Sequence, residues 1–180
     1  MQPLVTLLSI CREEDWSMGW QSQYAQYFTA RSMPLRQLAY AMCGDWHLAD
    51  DLVQHTFLQL YRHWRRVEQA TLDAYARKVL VNAYLSHRRK YWREYVVADP
   101  PDRAADGPAD DHSAAIGAAL AALPPRQRAL VVLRHMEDMS ISEAAELLGI
   151  SEGTVKSQTA RGLEKLRAAL KQPALEEFRG

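Results

Sequence analysis

The chain has only two cysteines, Cys11 and Cys43, and no C-x-x-C pair. Neither a zinc site nor a disulfide framework is thereby signalled. The six histidines are scattered, and His47, His55 and His63 recur at a spacing of eight. On a helix that separates neighbours by about 12 Å, too far to share one metal. No metal or other cofactor is expected. No glycine-rich phosphate loop and no nucleophile–base pattern is present, so an enzyme is not expected either. Long apolar runs are also missing. The longest near the start, Leu4–Ile10, is interrupted by Thr6 and Ser9 and has no basic residue before it. It makes a poor signal peptide and is too short to span a bilayer. No membrane insertion and a cytoplasmic location are expected.

Nor is there an excess of one charge: 22 basic residues stand against 22 acidic ones. That balance argues at first against nucleic acid, but the distribution does not. Residues 72–95 carry six basic side chains and two acidic ones, whereas residues 96–122 carry one basic and five acidic. Such an asymmetry marks contact surfaces.

What is present is helical periodicity, with almost no strand alternation. It predicts helices near Tyr24–Cys43, His47–Trp64 and Leu72–Trp92. Residues 99–111 then hold Pro100, Pro101, Gly107 and Pro108 among aspartates and alanines, with no apolar stripe, and read as an exposed linker. Helical pattern resumes at Ala114 and breaks at Pro124-Pro125. Further helices are expected at Arg126–Met136, Ile141–Leu148 and Glu152–Leu170. The fold expected is all-α: two small helical domains joined by a flexible acidic linker, each below the ~80 residues at which one core gives stability to spare.

The strongest local motif runs from Ser140 to Ser157. Ser140 with Glu143 makes a capping box, Gly149 permits a left-handed stop, and Ser151 caps a second helix. Short helix, turn and second helix make a helix-turn-helix. In the second helix Val155, Thr159, Gly162, Leu163 and Leu166 fall on a core side. Ser157, Ala160, Arg161 and Glu164 fall opposite, with Thr154 and Lys156 at the edges. Arg161 suits a guanine edge, and Ser157 or Lys156 suits bases or phosphates. An ordinary packed helix pair is the bland alternative, and a DNA-binding unit is the better account.

The amino-terminal half leaves more open. From His47 onward, Val53, Phe57, Leu60, Tyr61 and Trp64 form a core face. Asp51, Gln54, His55, Leu58 and Arg62 form a second face, which suits a protein surface or a merely solvated one. In the third helix Leu72, Ala76, Val79 and Ala83 turn inward. Arg77, Tyr84, Arg88 and Tyr91 share another stripe, and Lys78, Asn82, Arg89 and Arg93 a further one. Basic side chains interleaved with aromatics suit single-stranded nucleic acid, or again a solvated basic face.

Together these segments resemble a known family. Asp45 to Trp64 is similar to sigma regions 2.1–2.2, Tyr75–Asn82 to Arg89 to regions 2.3–2.4, and Leu123-Pro-Pro-Arg-Gln-Arg128 through Leu170 to region 4. The order, and the lack of room for other regions, resembles the extracytoplasmic-function (ECF) sigma factors of the sigma-70 family. The resemblance implies residues 1–21 as an extension, 22–95 as region 2, 96–112 as linker, 113–171 as region 4 and 172–180 as a tail. It implies core RNA polymerase and promoter DNA as partners and leaves an anti-sigma factor open. Asp51, Gln54 and Leu58 would bind polymerase, with His55 departing from the acidic residue usual there. The loop Arg66–Ala70 and Asn82 would hold a flipped −10 base, and Arg77, Lys78, Arg88 and Arg89 would track DNA. Thr154, Lys156, Ser157 and Arg161 would serve the −35 element. The rival is a stand-alone helix-turn-helix regulator, which leaves the amino-terminal half unexplained.

Overall fold

Local chemistry sets the helix ends. The computed structural model describes residues 19–94 and 111–171, and the described residues form seven α-helices and no strand. α1 spans Trp20–Cys43 and stops at Gly44, whose φ of 71° is left-handed and whose N–H donates to the Tyr40 carbonyl. Glycine takes that conformation without a Cβ penalty. Asp45 then caps α2 (Trp46–His63), its carboxylate accepting from the backbone N–H groups of His47 and Leu48. Two 3-10 turns, Trp64–Arg66 and Gln69–Thr71, lead into α3 (Leu72–Glu94). α4 covers Asp111–Ala121, α5 Pro125–His135, α6 Ile141–Leu148 and α7 Glu152–Lys171. The Pro-Pro pair read as a break is also a start. Pro125 occupies the first turn of α5, where its missing N–H would have had no intrahelical partner. α1 begins earlier than the periodicity suggests because Trp20 packs on Tyr61, ring centroids 5.3 Å apart.

α1, α2 and α3 pack mutually; in the second unit α7 packs on α4, α5 and α6, and α5 packs on α6. Phe57 is the hub of the first unit. It is fully buried, and the rings of Tyr24, Tyr27 and Phe28 lie 6.4, 6.4 and 4.6 Å from its own. Tyr24 closes this corner by donating its hydroxyl to the Phe57 carbonyl at 3.0 Å. Asp73, at the start of α3, pairs with Arg31 and accepts from the Tyr27 hydroxyl at 2.9 Å. Burial, and then that carboxylate, push the Tyr27 phenol far above its ordinary range.

The two units were expected to be joined only by their tether. They share one apolar core instead: Leu120, Leu123, Ala129, Val132 and Leu133 are continuous with Leu35, Leu38, Met42 and Leu80. Two small cores, each short of stability alone, gain by burying their remaining apolar surface against one another. A smaller cluster of Leu130, Ala144, Ala145 and Val155 lies within the carboxy-terminal unit. Most of the extension (residues 1–18) and most of the acidic linker (residues 95–110) fall outside the described residues.

Candidate nucleic-acid and partner interface

The helix-turn-helix is built as its motif requires. Glu143 N–H donates to the Ser140 hydroxyl at 3.1 Å, and Ser140 N–H donates to the Glu143 carboxylate at 2.6 Å. These bonds favour the ionised carboxylate and hold its pKa below the usual glutamate value. Gly149, with φ 63°, turns the chain out of α6. Thr154 N–H donates to the Ser151 hydroxyl at 3.2 Å, and the two hydroxyls lie 2.8 Å apart. Val155, Thr159 and Gly162 are buried, while Thr154, Lys156, Ser157 and Arg161 are all exposed. The four stand on the solvent side of α7, but the Thr154 hydroxyl is occupied in capping.

Gly162 lets α7 lie close on α5. A Cβ there would come within 2.8 Å of Val131 Cγ2, closer than side chains pack. Gly162→Ala should lower stability by about 1–3 kcal/mol through overpacking, offsetting the gain in helix propensity. Urea denaturation checks this, and an unchanged midpoint would mean that the two helices part without cost.

α2 presents the second candidate surface. Leu52, Val53, Thr56, Phe57 and Leu60 are buried, whereas Asp51, His55, Leu58 and Arg62 are exposed and Gln54 is half-buried. Asp50 and Asp51 divide sharply. Asp50 is held by Arg36 at 2.5 and 3.2 Å, with that guanidinium 4.4 Å from the Trp46 ring centroid. Asp51 faces out. Tyr61 corrects the core face drawn from periodicity. Its outer side is 37% exposed, beside Leu58 at 38%, while Trp20 and Tyr24 hold its ring from α1. Its place three residues after Leu58 was the available signal.

α3 is rotated from the expected register. Leu72, Ala76, Leu80, Val81 and Tyr84 are buried, and Val79 and Ala83 are only half-buried. Tyr84 is therefore a core residue and no stacking platform, because the carboxy-terminal unit covers a face that α1 and α2 alone would leave open. Burial raises its phenol pKa. The Tyr91 side chain lies outside the described ones. Lys78, Asn82 and Arg89 are exposed and Arg88 is half-buried. Arg77 donates to Glu137, on the turn between α5 and α6, at 2.8 Å. The expected loop has Arg66, Glu68, Gln69 and Ala70 exposed and Val67 half-buried. Asn82 lies about 15 Å along α3 from Leu72, the first residue of that helix.

Sequence periodicity missed Arg128 entirely, since a basic residue in a Pro-Pro-Arg-Gln-Arg run looks like surface. Its guanidinium is buried and donates to the carbonyls of Met42 at 2.9 Å, Leu123 at 3.4 Å and Ala121. Burial lowers its pKa. Nearby Cys43 is half-buried, and burial pushes its thiol up to about 11, so it packs as a small apolar residue.

The sigma-70 region 2 family model matches residues 28–94, and the sigma-70 region 4 model matches residues 113–166. The chain is 35% identical over 161 residues to the RNA polymerase sigma-E factor of Streptomyces coelicolor, covering 85% of this chain and 89% of that protein. It is 32% identical over 151 residues to the ECF RNA polymerase sigma factor SigM of Mycobacterium tuberculosis, covering 82% and 76%. Among solved structures, the sigma factor RpoE of Bartonella quintana in complex with the anti-sigma factor NepR superposes with a TM-score of 0.67. That match has 26% identity and covers 83% of this chain and 97% of that one.

Proposed function

Because this chain belongs to the sigma-70 family, as an ECF RNA polymerase sigma factor that directs promoter-specific initiation, we propose how its surfaces divide that work. Residues 22–95 act as region 2 and residues 113–171 as region 4. Asp51, Gln54 and Leu58 on α2, widened by Tyr61, dock onto core RNA polymerase. Leu58 and Tyr61 supply the apolar anchor, and Asp51 and Gln54 the polar rim. His55 sits in this face without the negative charge the family usually has there. Lys78, Asn82, Arg88 and Arg89 on α3 engage the −10 element as single strand, with the loop 66–70 and Asn82 holding a flipped base. Arg77 joins them once free of Glu137. Lys156, Ser157 and Arg161 read the −35 duplex, and Thr154 mainly holds the start of α7.

The observation that supports this division best is the exposure of two cation-bearing helix faces, on α3 and α7, in separate units of one chain. A stand-alone regulator would need only the second. Sigma factors of this kind are not enzymes, and the working location proposed is the cytoplasm, where polymerase meets the promoter. No described helix is long and apolar enough to cross a membrane. An anti-sigma factor is a proposed partner, because the similar Bartonella quintana protein was solved with one bound.

Run-off transcription with core polymerase on genomic fragments tests the assignment. Arg161→Ala should lose about 1–3 kcal/mol of −35 discrimination, the value of a bidentate base contact. Asn82→Ala should impair strand opening and spare duplex −35 binding. Equal loss of both activities in each variant would contradict the division.

A further inference from the structure

Gln158 of α7 is tied to a buried amide on α5. Gln127 Nε2 donates to Gln158 Oε1 at 3.1 Å. Gln127 lies in the first turn of α5 and is only 8% exposed. Gly162 makes the reach possible. A Cβ there would come within 3.5 Å of Gln127 Cβ and of its carbonyl oxygen, so α7 lies directly against this residue. Gln158 itself is half-buried. At about 100° per residue it sits within about 60° of Thr154 and Arg161 on one side, and of Val155 and Gly162 on the other. It therefore stands where the exposed face of the helix meets the packed one, beside Arg161.

Packing alone does not account for this pair. A hydrogen bond between two neutral amides adds little net stability, because each gives up its bonds to water. Gln127 also keeps a buried Oε1 that has no donor among the described residues. That costs free energy which leucine or methionine in the same place would not. What the bond does is fix the Gln158 amide. Its Oε1 is held on the Gln127 side with one lone pair left, and its Nε2 still has hydrogens to donate. A donor and an acceptor thus stand side by side, on a side chain that has lost part of its rotational freedom before it meets DNA. In the major groove adenine offers the complement, an acceptor at N7 next to a donor at N6. Guanine shows two acceptors, thymine one oxygen and cytosine one amino group. A phosphate would use the donors and be repelled by the oxygen.

We propose that Gln158, held by Gln127, reads an adenine of the −35 duplex next to the base contacted by Arg161. The inference rests on the assignment of α7 to the −35 element. Residues three apart on a helix are separated by about 4.5 Å along its axis, which matches neighbouring base pairs stacked ~3.4 Å apart. Gln158 is then a specificity-determining residue. Gln127 is a positioning residue, since it touches no base.

Run-off transcription by reconstituted holoenzyme, on promoters altered one −35 base pair at a time, tests this. Wild type should favour an A·T pair at one position by about 5- to 100-fold, the value of a bidentate base contact. Replacing that adenine by 7-deazaadenine, which lacks N7, should remove most of the preference. Gln158→Leu should abolish it at that position and leave the guanine preference set by Arg161. Gln158→Glu keeps the acceptor for Gln127 but cannot donate, so the preference at the same position should move to cytosine. This variant decides if Gln158→Leu does not fold. Gln127→Leu should weaken the adenine preference alone, by about threefold or more, with the melting temperature kept or raised. A merely structural role would change all positions together. The proposal is overturned if wild type prefers adenine nowhere in the −35 element, if Gln158→Leu retains that preference, or if every position loses equally. Should no promoter be transcribed, the sigma assignment fails instead. Selection of randomised duplexes by the full chain then decides on Gln158. Adenine enrichment that Gln158→Leu loses supports the proposal, and no such enrichment overturns it.

Discussion

Leu58→Glu weakens association with core RNA polymerase about 30- to 100-fold while leaving the melting temperature within a degree or two of wild type. The first half follows from what a central apolar anchor is worth. Hot-spot side chains contribute about 2 kcal/mol or more, and each ~1.4 kcal/mol is tenfold in affinity. A carboxylate at that spot would also have to be desolvated on docking. The second half follows from exposure: Leu58 is 38% exposed and supports no core contact that the fold needs. Glutamate is also nearly as good a helix former as leucine. Tyr61→Ala should weaken polymerase too, but with a stability cost, because Trp20 and Tyr24 pack on that ring. Affinity measured by holoenzyme reconstitution, beside thermal unfolding of the free protein, separates the two. If Leu58→Glu binds polymerase as well as wild type, the docking face lies elsewhere.

Phe57→Ala lowers stability by about 3–5 kcal/mol, the usual cost of removing a fully buried aromatic ring. A domain of this kind has about 5–15 kcal/mol in total, so the variant lies near the edge of folding. For a cooperative unit of this size the melting temperature should fall by about 10–15 °C. The argument rests on Phe57 having no exposure and on three rings that would face the cavity, from Tyr24, Tyr27 and Phe28. They belong to one helix, held near its start by Tyr24 on the residue-57 carbonyl and at mid-length by Arg31 on Asp73, so collapse into the space is restricted. Because the two units share a core, the loss should appear in both. Denaturant unfolding followed at the tryptophans and by far-UV circular dichroism checks this. A loss below about 1 kcal/mol would mean that the ring cluster re-forms without its centre.

The sequence by itself determined the helices, because helix ends are local chemistry. Asp45, Gly44, Ser140 with Glu143, Gly149 and Ser151 act on backbone groups within a few residues, and each stops or starts a helix. The α7 faces were equally legible. That helix packs on its own unit along one stripe, so period 3.6 separates Val155, Thr159 and Gly162 from Lys156, Ser157 and Arg161. α3 was not legible in the same way, since it packs on two sides. Tyr84 looks like an aromatic beside arginines until the second unit covers it, and Val79 and Ala83 then yield the inward positions to Leu80 and Val81. Arg128 is the extreme case. Nothing near it in the chain signals burial, because its partner at Met42 is 86 residues away. Periodicity records only how a helix meets solvent on average. Which unit meets which, and which cation ends up on which helix end, depends on long-range packing, and only the tertiary structure decided that.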